Sequence, residues 1–143
     1  MNFISKSEKE TSRFASDLAQ TIKIGSVLAL LGNLGSGKTT FAKGFAMGLN
    51  INENVGSPTF KIISEYIGKP HDLYHIDSYR LEDENDFLKI GGEEFLNQKR
   101  GVTLIEWASL IKGILPEDTV YIYFERMLEK NTRKIRIEGL KNE

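Results

Sequence analysis

The chain has no cysteine, so neither a disulfide framework nor a thiolate metal site is available to it. It also lacks an excess of either charge, since 19 basic against 20 acidic residues leave a net charge of −1. Dedicated nucleic-acid binders carry a basic stripe, because counterion release drives their affinity. The densest basic stretch here, Arg126 to Lys141, is flanked and interrupted by Glu125, Glu129 and Glu138. If nucleic acid is involved, another chain holds it. No run approaches the roughly 18 apolar residues of a membrane span, and no charged-then-apolar signal segment opens the sequence. The expectation is a cytoplasmic protein without membrane contact. Repeats, linkers and low-complexity segments are missing as well, so residues 1–143 read as one domain.

What is present centres on Gly32-Asn33-Leu34-Gly35-Ser36-Gly37-Lys38-Thr39, which fits the pattern Gly, four residues, Gly-Lys-Ser/Thr. Glycines let such a loop approach a ligand closely. Its successive N–H groups form an anion-binding concavity, to which the following helix adds its positive end. Lys38 would reach the β- and γ-phosphates and the Thr39 hydroxyl would ligate Mg²⁺. At ordinary residue frequencies a chance match in a chain of this length is roughly a one-in-200 event. The context agrees with the motif: Ser26 to Leu31 reads as a buried strand, and Thr39 to Leu49 carries apolar residues at helical spacing. A nucleoside triphosphate is the expected ligand. GTP-specific switches carry Asn-Lys-x-Asp, which this sequence lacks, and the preference falls on ATP.

Around this loop the pattern predicts a helix from about Ser7 to Ile22, opened by the capping box Ser7-Glu8-Lys9-Glu10 and stopped at Gly25. Phe60 to Ile67 and Leu73 to Tyr79 read as strands, and their short connection requires them to pair antiparallel. Two short helical pieces should flank Gly91-Gly92. Val102 to Ile105 is another buried strand, Ala108 to Leu115 a short helix ended by Pro116, and Thr119 to Phe124 with Lys134 to Ile137 a closing hairpin. The fold class is α/β: a single-domain phosphate-loop NTPase, its central sheet mixed but mostly parallel, flanked by helices and antiparallel hairpins.

Binding alone needs only the loop; hydrolysis or transfer needs a metal carboxylate and a group that orients the nucleophile. Asp77 and Glu106 each close an apolar strand, where ligand crevices open in α/β sheets. Taken singly, either also reads as the cap of a following turn. Ser57 and Thr59, on the bend around Pro58, are candidates for a segment that senses the γ-phosphate, or for a plain Ser/Thr turn. His75 reads as packed or hydrogen-bonded inside its strand rather than as a base. Trp107 is either a core aromatic or a wall of the site. Arg80 and Arg133 suit phosphate geometry, and the acidic run Glu82 to Asp86 is a solvated face or a docking surface.

The series Gly32 to Phe41, Ser57-Pro58-Thr59-Phe60, His75-Ile76-Asp77-Ser78-Tyr79-Arg80 and Ile105-Glu106-Trp107 closely resembles the TsaE (YjeE) family, the small ATPase of bacterial tRNA threonylcarbamoyladenosine synthesis. The resemblance implies a phosphate-loop fold, bound ATP and Mg²⁺. It assigns Thr39 and Glu106 to the metal and matches Asp77 to a functionally important aspartate; Asp77 and Glu106 can each hold Mg²⁺ directly or through water, and both, with Lys38 on the phosphates, are the catalytic candidates. Asn33, Leu34, Gly35, Ser36, Gly37, Thr39 and Thr40 fall on its nucleotide loop, Ser57 to Thr59 on its switch-like loop, Arg133 near the nucleotide, and the start of the first helix, around Ser7-Glu8, near the base. It further implies TsaD and TsaB as partners, with tRNA met indirectly through them. The chain departs from the family pattern with Asn33 where Asp is usual, Ser36 where Ala is usual, and Ser78 where an apolar residue is usual. A small-molecule or nucleoside kinase and a nucleotide-dependent binding switch with incidental hydrolysis stay open as alternatives.

Overall fold

The apolar run ahead of the glycine loop is the middle of the molecule: Val27–Gly32 (β2) is flanked on both sides by parallel strands. The structure is a computed structural model that describes residues 1–33, 35–55 and 62–140. Its other strands are Asn2–Ser5 (β1), Ile63–Tyr66 (β3), Asp72–Asp77 (β4), Gly101–Glu106 (β5), Val120–Arg126 (β6) and Arg133–Glu138 (β7). They form one sheet in the order β1-β7-β6-β2-β5-β4-β3. The central four, β6, β2, β5 and β4, run parallel. Both margins are antiparallel, with β7 and β1 on one side and β3 on the other. The expectation of a mostly parallel sheet therefore holds for the middle only. The antiparallel pairing of β3 with β4 and the closing β6–β7 hairpin are as the sequence predicts.

Alternation along the strands sends side chains to two cores. On one face Leu28, Leu30, Leu73, Leu104 and Ile122 pack under the long helices Glu8–Thr21 (α1) and Lys38–Gly48 (α2), with Phe41 and Phe45 fully buried. These helices touch backbone to backbone. A Cβ on Gly44 would stand 2.4 Å from the Ser12 carbonyl oxygen, and one on Gly48 would stand 2.3 Å from that of Ser16. On the opposite face Ala29, Ile76 and Ile105 meet Phe87 and Ile111, carried by the short helix Glu84–Lys89 (α3) and a 3₁₀ segment at Ala108–Ile114. A second short helix, Glu93–Leu96 (α4), completes the pair expected around Gly91-Gly92.

Four expectations need correction. The strand β1 has no counterpart in the sequence reading: four residues are too few to show alternation, and its pairing with β7 joins the two ends of the chain. Gly25 does not end α1. The helix stops at Thr21 with Ile22 extended, and Gly25 (φ +89°) turns the chain into β2 while its N–H bonds Gly101. The strand expected as far as Tyr79 ends at Asp77, where Ser78–Arg80 form a 3₁₀ turn. The helix expected after Trp107 is 3₁₀, broken at Ile111. The acidic run is the start of α3: the Asp83 carboxylate accepts the Asp86 N–H, and Asp86 accepts that of Glu82.

Candidate functional site

The parallel strands end together, and the chain leaves β2 through the glycine loop at that edge. Gly32 (φ +152°) has no room for a side chain, since a Cβ there would lie 2.7 Å from the Phe124 carbonyl oxygen. Gly37 (φ +105°) is the N-cap of α2 and turns the loop directly into the helix. The first N–H groups of α2 have no partners within the helix and carry its positive dipole end. Asn33 is exposed and its carbonyl accepts the Ser36 N–H at 3.1 Å.

Lys38 opens α2 and is buried. Its ammonium group donates to the Gly32 carbonyl and stands 3.5 Å from the centroid of the Trp107 ring. Burial lowers its pKa below the ordinary lysine value, and the charges of Glu106 and Asp77 oppose that shift. The charged form is thus undersupplied with solvent where it sits.

Both acids stand where the sequence puts them, and the parallel register places Asp77 beside Glu106. Their surroundings differ. Glu106 is buried, and its Oε2 accepts from Nε2 of the buried His75 at 2.6 Å. A carboxylate only accepts, so Nε2 carries the proton. Asp77 is exposed and caps the 3₁₀ turn, its Oδ1 accepting the Tyr79 N–H at 3.1 Å. Trp107 follows Glu106 with φ +61°, a costly conformation for an aromatic residue. Two contacts hold it there. The buried Ser78 hydroxyl donates to the Glu106 carbonyl at 2.6 Å, with the Trp107 carbonyl 2.9 Å away, and Tyr79 packs on the indole at a centroid distance of 4.8 Å.

The opposite wall comes from the start of α1 and the β6–β7 hairpin. Ser7, Glu8, Thr11, Asn131 and Arg133 close a cleft of about 270 Å³ with Gly35, Gly37, Lys38, Thr39, Thr40, Glu106 and Trp107. The Thr40 hydroxyl is 3.4 Å from Oε1 of Glu8, and Arg133 donates to the Gly35 carbonyl at 3.2 Å. Two buried polar atoms beside the loop, Ser36 Oγ and Arg133 Nε, lack a hydrogen-bond partner among the described residues. Of the two residues only Arg133 lines the cleft, where an anion would supply it with an acceptor. The Thr39 hydroxyl and the Glu106 carboxylate are the hard oxygen donors that a divalent cation takes.

Of the residues singled out from sequence, Glu8, Gly35, Gly37, Lys38, Thr39, Thr40, Glu106 and Arg133 line this one cleft. Asp77 stands at its margin, near enough to act on the charge of Lys38, and does not line it. Asn33 and Ser36 do not line it either. Leu34, Ser57 and Thr59 lie outside the described residues. Trp107 is a wall of the site, which settles a choice that spacing leaves open. Ser7 lines the cleft with Glu8, and His75 is hydrogen-bonded inside its strand as expected; sequence reasoning missed Thr11 and Asn131, and it missed that the partner of His75 is Glu106. Thr11 lies one helical turn after Ser7, a signal that gains meaning only once the start of α1 is known to face the loop.

A glycine loop opening a helix at the carboxyl ends of parallel strands, with a buried lysine facing a strand-end acid across one cleft, defines the class as an α/β protein built on a mixed sheet. The chain belongs to the TsaE family. The family profile, threonylcarbamoyl adenosine biosynthesis protein TsaE, matches residues 5–135. The chain is 48% identical over 118 residues to the tRNA threonylcarbamoyladenosine biosynthesis protein TsaE of Bacillus subtilis, covering 82% of this chain and 73% of that one. With the protein of the same name from Treponema pallidum it shares 40% identity over 137 residues, 96% of this chain and 99% of the other. The crystal structure of Bacillus subtilis YdiB superposes with a TM-score of 0.80 at 38% identity, covering 94% of this chain and 82% of that one. The family serves tRNA threonylcarbamoyladenosine biosynthesis. No helix among the described residues is long and apolar enough to cross a membrane.

Proposed function

We propose that this protein is a phosphate-loop ATPase of the cytoplasm. It binds ATP with Mg²⁺ in the cleft and hydrolyses the nucleotide as accessory subunit to TsaD and TsaB, meeting tRNA only through them. The observation that carries this reading is Lys38: a buried ammonium with a lowered pKa, held on its own loop and facing Glu106. An ammonium so placed gains most from a ligand that brings negative charge, and a triphosphate lying along the loop brings it. Lys38 would exchange the Gly32 carbonyl and the Trp107 face for phosphate oxygens. The loop amides and the N-terminus of α2 would hold the remaining phosphate charge.

Thr39 and Glu106 would hold Mg²⁺, which when bound neutralises charge developing on the phosphates. Asp77, at the neighbouring strand end, would orient the attacking water, giving up or sharing its cap on Tyr79. Arg133 lies on the Gly35 carbonyl and would extend to the phosphates from the hairpin side. Ser7, Glu8, Thr11 and Asn131, on the far wall, would meet the nucleoside. The near-neutral charge of the chain fits a subunit that leaves the tRNA backbone to its partners.

The test is phosphate release from Mg·ATP with and without TsaD–TsaB from the same source. Slow turnover alone with strong stimulation by the pair is the expected outcome. Turnover that does not respond to TsaD–TsaB overturns the accessory role.

A further inference from the structure

The geometry points to a positioning residue not yet assigned a role: we propose that His75 orients Glu106 for the cation by holding one carboxylate oxygen and leaving the other, which has no partner among the described residues, to the cation. This inference rests on Glu106 being the metal carboxylate. The register shows how the contact arises. In the parallel β4–β5 pair Asp77 is opposite Glu106 and His75 is opposite Leu104. His75 and Glu106 are therefore diagonal neighbours, and both sit on the face packed against α1 and α2, where Leu73 and Leu104 belong to the core. Diagonal pairs are reached by long side chains, and this one closes at 2.6 Å between Nε2 and Oε2.

Three features make the contact more than a satisfied core histidine. The bond occupies one oxygen of a side chain that lines the cleft. Both partners are buried, so water competes poorly for it. It also restrains a flexible side chain that lines the same cleft as Lys38. Among the described residues Lys38 and Glu106 are not ion-paired: Lys38 is held by Gly32 and Trp107, and Glu106 by His75. The opposite charges stay apart, and the space between them is where phosphate and cation would enter. Groups that fix a ligand carboxylate in this way commonly govern metal affinity or activity by about 10–100-fold.

The experiment compares His75→Leu, His75→Gln and Glu106→Gln with the parent protein. Calorimetry measures ADP binding in EDTA and then in a Mg²⁺ series, and steady-state ATP hydrolysis gives kcat and KM separately. His75→Leu should bind ADP normally in EDTA, lose about 10-fold in the Mg²⁺ concentration needed to tighten binding, and lose kcat by about 10-fold or more at little-changed KM. His75→Gln, whose side-chain amide presents an N–H at a similar reach, should recover most of both. A Mg²⁺ response and kcat in His75→Leu within twofold of the parent would overturn the inference. Equal impairment of the Leu and Gln variants, with equally lowered melting temperatures, would also overturn it by making the imidazole a packing group. Should Glu106→Gln itself keep the parent's Mg²⁺ response and turnover, the failure belongs to the metal reading of Glu106 rather than to His75.

Discussion

The two sides of the cleft are held in different ways. The loop side, from β2 into α2, is fixed by backbone: Gly32 and Gly37 at positive φ, no space for a Cβ at Gly32, and Ser36 bonded to the Asn33 carbonyl. The acid side, at the ends of β4 and β5, is fixed by side chains reaching across strands: His75 to Glu106, Ser78 to the Glu106 and Trp107 carbonyls, Asp77 to Tyr79. A backbone-held surface tolerates changes of side chain so long as the glycines remain, whereas a side-chain-held surface fails one contact at a time. Lys38 belongs to the loop by position and to the acid side by environment, since its charge is answered by Glu106 and Asp77. It is where the two sides meet.

The largest effect is therefore expected at Lys38. Replacing it with alanine removes the one buried cation facing the cleft among the described residues, and charge-assisted hydrogen bonds contribute roughly 1.5–3 kcal/mol each. Loss of two phosphate contacts weakens binding by about a hundredfold or more, so calorimetry should find no ATP binding at micromolar nucleotide. Binding within tenfold of the parent would show that the loop backbone alone carries affinity and that the lysine is incidental to it.

Glu106→Ala separates the sides instead of disabling both. The loop keeps its amides and Lys38, so ATP affinity measured in EDTA should stay within a few-fold. Turnover should fall by about a hundredfold, the range for losing a group that acts in the transition state. Unchanged hydrolysis would remove Glu106 from the chemistry.

Ser78→Ala tests whether the acid side depends on individual side-chain contacts. Its one hydroxyl proton is donated to the buried Glu106 carbonyl beside a left-handed tryptophan, and leaving a buried acceptor unsatisfied costs about 1–3 kcal/mol. A lowered melting temperature with reduced kcat and nearly parental ATP affinity is expected. If stability fell with no change in kcat, the Glu106–Trp107 turn would be scaffold only.

The same contrast decides what the sequence could reveal. A backbone-held loop has to be written in consecutive glycines, so Gly32 to Thr39 announces its position, its strand and its helix. The paired strands β3 and β4 and the β6–β7 hairpin were legible because short connections leave no other pairing. Glu106 and Asp77 were legible as strand ends, but what distinguishes them was not. Their difference comes from the register of β4 on β5, which brings His75 diagonally onto Glu106 across 31 positions of sequence. Asn131 and the start of α1 reach the cleft only because β7 pairs with β1 and draws both ends of the chain together. No local pattern carries such information.

The smallest effect is expected at Asn33, which is exposed, does not line the cleft, and contributes its carbonyl to the loop. Asn33→Asp introduces a carboxylate without altering that carbonyl. If the loop side acts through backbone, ATP affinity and kcat should both remain within twofold, because an exposed charge is largely screened at physiological ionic strength. The comparison can be broken here as well as at Lys38. A change of tenfold in kcat would mean that a loop side chain takes part in the chemistry, and the division between a backbone-held and a side-chain-held wall would no longer describe how this cleft works. Measuring the same pair of constants in 50 mM and 500 mM salt sharpens the result. A purely electrostatic contribution from the new carboxylate should shrink as the Debye length contracts, whereas a direct contact with nucleotide or water should persist.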